Sequence, residues 1–130
     1  MIEMTSAYTA FANQGEVQQA NPFLTVTTKD GKVLEEYKPI AGKKVFDPGI
    51  AYIISDILSD DNARLVSFGS RSGLYIPNRK VAVKTGTTND LKDNWAIGWT
   101  PEVIIASWVG NNDNSSMKSV ASGISGATPI

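Results

Sequence analysis

Apolar positions near the start of the chain recur at three- and four-residue spacing. Met4, Ala7, Tyr8, Phe11 and Ala12 fall on one face of a helix predicted over residues 2–13, and Gly15 is placed to end it. Residues 22–28 and 33–37 carry β-branched and aromatic residues either side of Lys29-Asp30-Gly31-Lys32. An Asp-Gly pair between two such runs predicts a hairpin, which must lean on other structure because an isolated hairpin is marginal in water. A second helix is predicted from Asp47 as N-cap and Pro48 at the first helical position. Its stripe of Ile50, Ile53, Ile54, Ile57 and Leu58 is expected to face the core, with Asp56, Asp60 and Asp61 outside it.

Residues 62–80 read as loop, since Gly69, Gly73 and Pro77 interrupt any period. Three strands are then expected over 81–87, 94–100 and 103–109, the last two antiparallel across Thr100-Pro101-Glu102. In the middle strand Trp95, Ile97 and Trp99 alternate with Ala96, Gly98 and Thr100. Large residues on one face and small ones on the other predict a sheet covered on both sides, its small face admitting a closely packed helix. Residues from Asn111 onward are rich in Asn, Ser and Gly and read as a loop-like tail. The whole predicts an α/β (α+β) architecture: an antiparallel sheet, packed helices and a peripheral hairpin.

Composition narrows the chemistry. The chain has neither cysteine nor histidine, which excludes thiolate nucleophiles, Cys- or His-ligated zinc and Ser-His-Asp catalysis. Any acid–base catalyst here must be a carboxylate, a tyrosine or a lysine. With 12 basic against 13 acidic residues, and Lys43-Lys44 and Arg79-Lys80 the only basic doublets, there is no footprint for nucleic acid. No apolar run approaches a membrane span, and no phosphate-binding Gly-rich loop is present. No cofactor or metal is expected. Asn111, Asp113 and Ser115 have calcium-loop spacing without the glycine and glutamate that complete such a loop. Asp90 and Asp93 are expected to cap a turn rather than form a catalytic pair.

The informative stretch is Val81-Ala82-Val83-Lys84-Thr85-Gly86-Thr87-Thr88-Asn89-Asp90, a β-branched strand that runs into Lys-Thr-Gly. With Glu3-Met4-Thr5-Ser6-Ala7-Tyr8 and Phe11-Ala12-Asn13 in the first helix, the helix from Asp47-Pro48 to Leu58, and Asp93-Asn94-Trp95 through Val109-Gly110, the chain resembles the penicillin-binding proteins along its whole length. These are serine D,D-transpeptidases that cross-link peptidoglycan, and the likeness is to the bifunctional class A type. The pattern departs from the family at Val83, where the family usually has glycine.

The resemblance implies the serine β-lactamase/transpeptidase fold, and residues 1–130 are expected to form the C-terminal part of the domain. It implies a D-Ala-D-Ala stem peptide or a β-lactam as ligand. Lys84 is then the catalytic lysine facing a proton-relay serine and attracting the ligand carboxylate. Thr85 and Thr87 bind that carboxylate through their hydroxyls, the Thr87 N–H serves the oxyanion, and Gly86 keeps the approach open. The family's Ser-x-x-Lys nucleophile and Ser-x-Asn motif should precede Lys-Thr-Gly. No Ser-x-Asn occurs, and the one literal Ser-x-x-Lys, Ser115 to Lys118, comes after it in a loop and is expected to be solvated. The nucleophile is therefore expected on the remaining part of the domain, on a parent at the extracytoplasmic face of the bacterial membrane, and the chain alone is expected to be inactive. An open edge on strand 103–109 is expected to pair with a second copy. A non-catalytic module that binds cell-wall peptides or a partner is the alternative.

Overall fold

The computed structural model describes residues 1–70 and 72–118. Helix α1 (Ile2–Ala12) is followed by the short strand β1 (Glu16–Val17), the hairpin β2 (Thr25–Thr27) and β3 (Val33–Glu36), and the short strand β4 (Lys43–Lys44). Helices α2 (Pro48–Leu58) and α3 (Asp61–Phe68) come next. The chain then forms β5 (Ala82–Thr87), a single 3-10 turn at Asn89–Leu91, β6 (Asp93–Trp99) and β7 (Ile104–Gly110). All pairing is antiparallel: β1 with β4, β2 with β3, and a three-stranded sheet in the order β5-β6-β7. The expected fold class is the one observed.

The alternation in β6 gives the sheet its two faces. Ala82, Ile97 and Trp99 are buried on one, where Tyr8, Phe11 and Ala12 of α1 and Leu58 of α2 pack on them. Trp99 meets Tyr8 edge-on, with ring centroids 5.5 Å apart, and stacks on Phe11 at 5.7 Å. The small face of Val83 and Ala96 receives Leu74 with Phe68 and Val81, so a loop residue and the end of α3 fill the space foreseen for a helix.

The structure corrects two expectations. Residues 61–68 are helical within the stretch read as loop. Asp60 accepts hydrogen bonds from the N–H groups of Asn62 and Ala63, and Gly69, at φ 74°, stops the helix. The apolar stripe of α2 faces the core only in part: Leu58 packs there and Ile54 is half-buried, but Ile50, Ile53 and Ile57 are each more than half exposed. Ala51 is buried instead, and the half-buried Ser55 turns inward, because only small side chains let the helix approach Trp99 closely.

The hairpin forms with Gly31 at φ 82° in its turn, and with an irregular register between Val26 and Thr27. Its apolar residues Phe23, Leu24, Val33 and Leu34 are exposed, so the support expected for it does not come from burial of these side chains. The β1–β4 pair, absent from the sequence expectations, is too short to carry a periodic signal. It closes beside Gly15, whose carbonyl accepts the Val45 N–H at 2.8 Å. Of the residues assigned to loop or tail, Arg71 and 119–130 lie outside the described residues.

Candidate active-site strand

Strand β5 occupies one edge of the sheet and pairs only with β6 among the described residues. The register Thr87↔Asn94, together with the Thr88 N–H bonded to the Asp93 carbonyl at 3.0 Å, sets which groups face which way. In an antiparallel ladder hydrogen-bonded and non-hydrogen-bonded pairs alternate, so Lys84 and Gly86 direct their backbone groups to β6. Thr85 and Thr87 direct theirs to the open edge. The Lys84 ammonium follows the same geometry: it donates to the Thr85 carbonyl on the free side of the strand.

Lys84, Gly86 and Thr87 are exposed and Thr85 is half-buried. A Cβ built on Gly86 would meet no atom within 4 Å, so nothing in this chain occupies the space above it. A hollow of about 170 Å³ opens beside Lys84 and Gly86, its walls including Met4 and Tyr8 of α1 and Trp95 and Ile97 of β6. The strand thus presents the Lys84 cation beside an aromatic-lined hollow, the Thr87 hydroxyl on the opposite face where Asn94 lies, and two outward backbone N–H groups along the edge between them. Such an edge can hold an extended peptide by main-chain pairing and an anion by the cation or the hydroxyl.

One residue of the site escaped the sequence reading. Asn94 of β6 is fully buried, and its Nδ2 donates to Thr87 Oγ1 at 2.6 Å. The available signal was its position: it shares a face with Ala96 and Gly98, which was expected to be covered, and a polar side chain there needs a partner.

The turn that follows β5 is closed by Asp93, whose carboxylate accepts from the Thr88 hydroxyl at 2.6 Å, while Asp90 sits at φ 60°. Asp93 therefore closes the turn, as expected. Ser115 lies in an exposed loop, where its hydroxyl and N–H both bond Asp113 Oδ1, at 2.7 and 3.1 Å. Those bonds hold the Asp113 carboxyl below its ordinary value. The loop returns to the site end of the sheet, with the Met117 N–H on the Leu91 carbonyl at 2.9 Å. No group of acidic side chains among the described residues forms a metal cluster.

The family model for the penicillin binding protein transpeptidase domain matches residues 1–127. Penicillin-binding protein 1A of Neisseria meningitidis is 33% identical over 134 residues, covering 99% of this chain and 16% of its own length. Penicillin-binding protein 1A of Clostridium botulinum is 35% identical over 119 residues, covering 92% of this chain and 14% of its own length. The chain therefore spans about one sixth of the curated relatives it matches. Among solved structures, the penicillin-binding protein PonA1 of Mycobacterium tuberculosis superposes with a TM-score of 0.75 at 26% identity, over 97% of this chain and 36% of that one. Penicillin-binding protein A of the same organism, solved as an imipenem acyl-enzyme complex, shares the fold with a TM-score of 0.74 at 20% identity, over 96% and 28%. The chain belongs to the penicillin-binding protein transpeptidase domain family.

Proposed function

We propose that this chain supplies the ligand-gripping edge of a peptidoglycan D,D-transpeptidase that β-lactams acylate. In this reading residues 1–130 are the C-terminal part of the domain, and the acylated serine belongs to polypeptide beyond them, in a parent at the extracytoplasmic face of the bacterial membrane. The single observation that carries the reading is the edge of β5, unpaired among the described residues, where Lys84, Gly86 and Thr87 are exposed and Thr85 is half-buried.

The chemistry assigns each residue a part. The serine oxygen bonds to the penultimate D-Ala carbonyl carbon, the peptide C–N bond breaks, and the terminal D-Ala leaves as an amine carrying the proton. A second stem-peptide amine then displaces the serine from the ester. Negative charge collects on the carbonyl oxygen as each tetrahedral intermediate forms, and the outward Thr87 N–H is aimed to receive it. Lys84 attracts the substrate carboxylate and takes part in the proton relay, and the Thr85 and Thr87 hydroxyls donate to that carboxylate. Gly86 leaves room for the ligand backbone. Contacts to a carboxylate in open solvent are each worth about 1 kcal/mol or less, so the chain alone grips weakly and turns nothing over.

The test is labelling by a fluorescent penicillin, followed by mass spectrometry of the adduct. The expected result is no adduct on the isolated chain, and one in a longer protein carrying it that is lost on Lys84→Ala. An adduct on a serine of the isolated chain, Ser115 included, overturns the reading. Failure of the longer protein to label while it still binds stem peptide favours the alternative of a non-catalytic binding module.

A further inference from the structure

We propose that Asn94 is a positioning residue for this site, orienting the Thr87 hydroxyl so that its proton faces the ligand carboxylate. The inference deepens the reading of residues 84–87 given above and rests on it. Thr87 and Asn94 stand directly opposite one another in the ladder. Because the neighbouring pair at Thr88 and Asp93 is hydrogen-bonded, theirs is the non-hydrogen-bonded kind, in which side chains approach most closely. The amide Nδ2 reaches Thr87 Oγ1 at 2.6 Å.

A hydroxyl has one proton and two lone pairs. When the amide N–H occupies a lone pair, the proton must point elsewhere, and polarisation by the incoming bond makes it a better donor. A carboxylate accepts and cannot donate, so the only useful Thr87 hydroxyl is one whose proton is free to face it. A freely rotating hydroxyl spends part of its time turned away, and one that donates to a neighbour is lost to the ligand.

Burial sharpens the point. Asn94 is 0% exposed, on the same face as the buried Ala96 and Gly98. A carboxamide at such a position is unfavourable unless its groups are bonded. The bond seen here runs to the exposed rim of the strand that carries the site, so a wholly buried group controls an exposed one. An aspartate of the same shape would reverse the bond, since its oxygens accept the Thr87 proton.

The experiment uses the full-length protein and two probes, benzylpenicillin and its uncharged methyl ester, with second-order acylation rates as the readout. Asn94→Ala and Asn94→Asp are expected to slow acylation by the acid about tenfold, the scale of one hydrogen bond to a charged group, and to leave the ester rate nearly unchanged. In a Thr87→Val background the same Asn94 changes should have no further effect. Equal slowing of acid and ester, no slowing of either, or additivity with Thr87→Val overturns the proposal. Should Asn94 variants fail to fold, the Asn94 side-chain ¹⁵N signal decides: it should move on acylation in the wild type and not in Thr87→Val, and no movement in either overturns the inference. If Lys84→Ala and Thr87→Val label at the wild-type rate, the assignment of the site itself falls. If they fail to label while Asn94 variants discriminate as the wild type does, only the role of Asn94 falls.

Discussion

The indole N–H of Trp99 donates to Ser55 Oγ at 3.0 Å, and Ser55 Oγ donates onward to the Phe11 carbonyl at 3.3 Å. One serine therefore joins β6, α2 and α1 at the centre of the apolar face. Trp99 is 3% exposed, so its N–H has no recourse to water when the acceptor is removed. Ser55→Ala is expected to lower unfolding free energy by about 1–3 kcal/mol, read as a reduced urea midpoint with an unchanged slope. An unchanged midpoint would mean that the serine is incidental to the joint.

The same substitution should have opposite consequences at two glycines. Gly15 sits at φ 94°, and a Cβ there would lie 2.2 Å from the Phe46 carbonyl oxygen, so Gly15→Ala strains the backbone and collides with it. A stability loss of more than about 1 kcal/mol is expected. At Gly86 the space is open and φ lies outside the left-handed region, so Gly86→Ala should leave stability within about 0.5 kcal/mol of the wild type. Its effect should fall on acylation of the full-length protein by penicillin. Denaturation and labelling of both variants separate a glycine needed by the fold from one needed by the ligand.

Arg64 ties the start of β5 to the helices before it. Its Nη2 donates to the carbonyls of Leu58 and Val81 at 2.7 and 3.1 Å, and Nη1 donates to that of Leu74 at 3.3 Å while pairing with Asp61 at 3.1 Å. Methionine fills much of the volume with none of the donors. Arg64→Met is therefore expected to destabilise by about 2–3 kcal/mol, and Arg64→Lys to recover only part, since an ammonium cannot span three carbonyls with a planar fork. Hydrogen exchange over β5 should quicken in both variants, and unaltered exchange there would deny the tie to the site strand.

The sheet was readable because β6 alternates Trp95, Ile97 and Trp99 with Ala96 and Gly98, large against small as expected of a strand covered on both faces. The start of α2 was readable from chemistry: Asp47 accepts the Gly49 N–H at 2.8 Å and Pro48 occupies the first turn. The buried face of that helix was not, because counting apolar residues favours the isoleucines, whereas close approach to Trp99 selects Ala51 and Ser55. Helix α3 hid for a related reason. Its sequence, DNARLVSF, is poor in periodic apolar residues, and its signal lay in the Asp60 cap and the Gly69 stop. At the site, residues 84–87 stood out as a motif. Asn94 did not: the pattern places it at the start of strand 94–100, and only the register sets it opposite Thr87.

The Lys80 ammonium bonds Asp56 Oδ1 at 2.5 Å, and that bond, followed by the charge of Asp56, raises the lysine above its ordinary value of 10.5. A folded-state value above the unfolded one means that the stabilisation is complete below the unfolded value and is lost as pH rises through the folded one. The pair is exposed and the effect is small, so it is best read site by site. In an NMR titration Asp56→Asn should bring the Lys80 midpoint back toward its ordinary value, and an unmoved midpoint would assign the shift to another cause.

Strand β7 forms the other edge of the sheet and pairs only with β6 among the described residues. The Thr100 N–H bonds the Val103 carbonyl at 2.9 Å, and alternation from that pair turns the backbone groups of Ile104, Ala106 and Trp108 outward. Val103, Ile105 and Val109 add exposed apolar surface beside that ladder edge. An uncharged edge of this kind is a template for a further strand, and in the isolated 130-residue chain a second copy is the strand at hand. Concentration-dependent dimers are expected by light scattering. Ile105→Lys should suppress them, because a lysine on an edge strand opposes apolar stacking and repels its symmetry mate. The Ile105 side chain lies opposite Gly98, away from the Lys84 face, so the substitution should leave penicillin labelling of the full-length protein unaltered. A monomer at high concentration, or dimers indifferent to Ile105→Lys, would remove β7 as the contact.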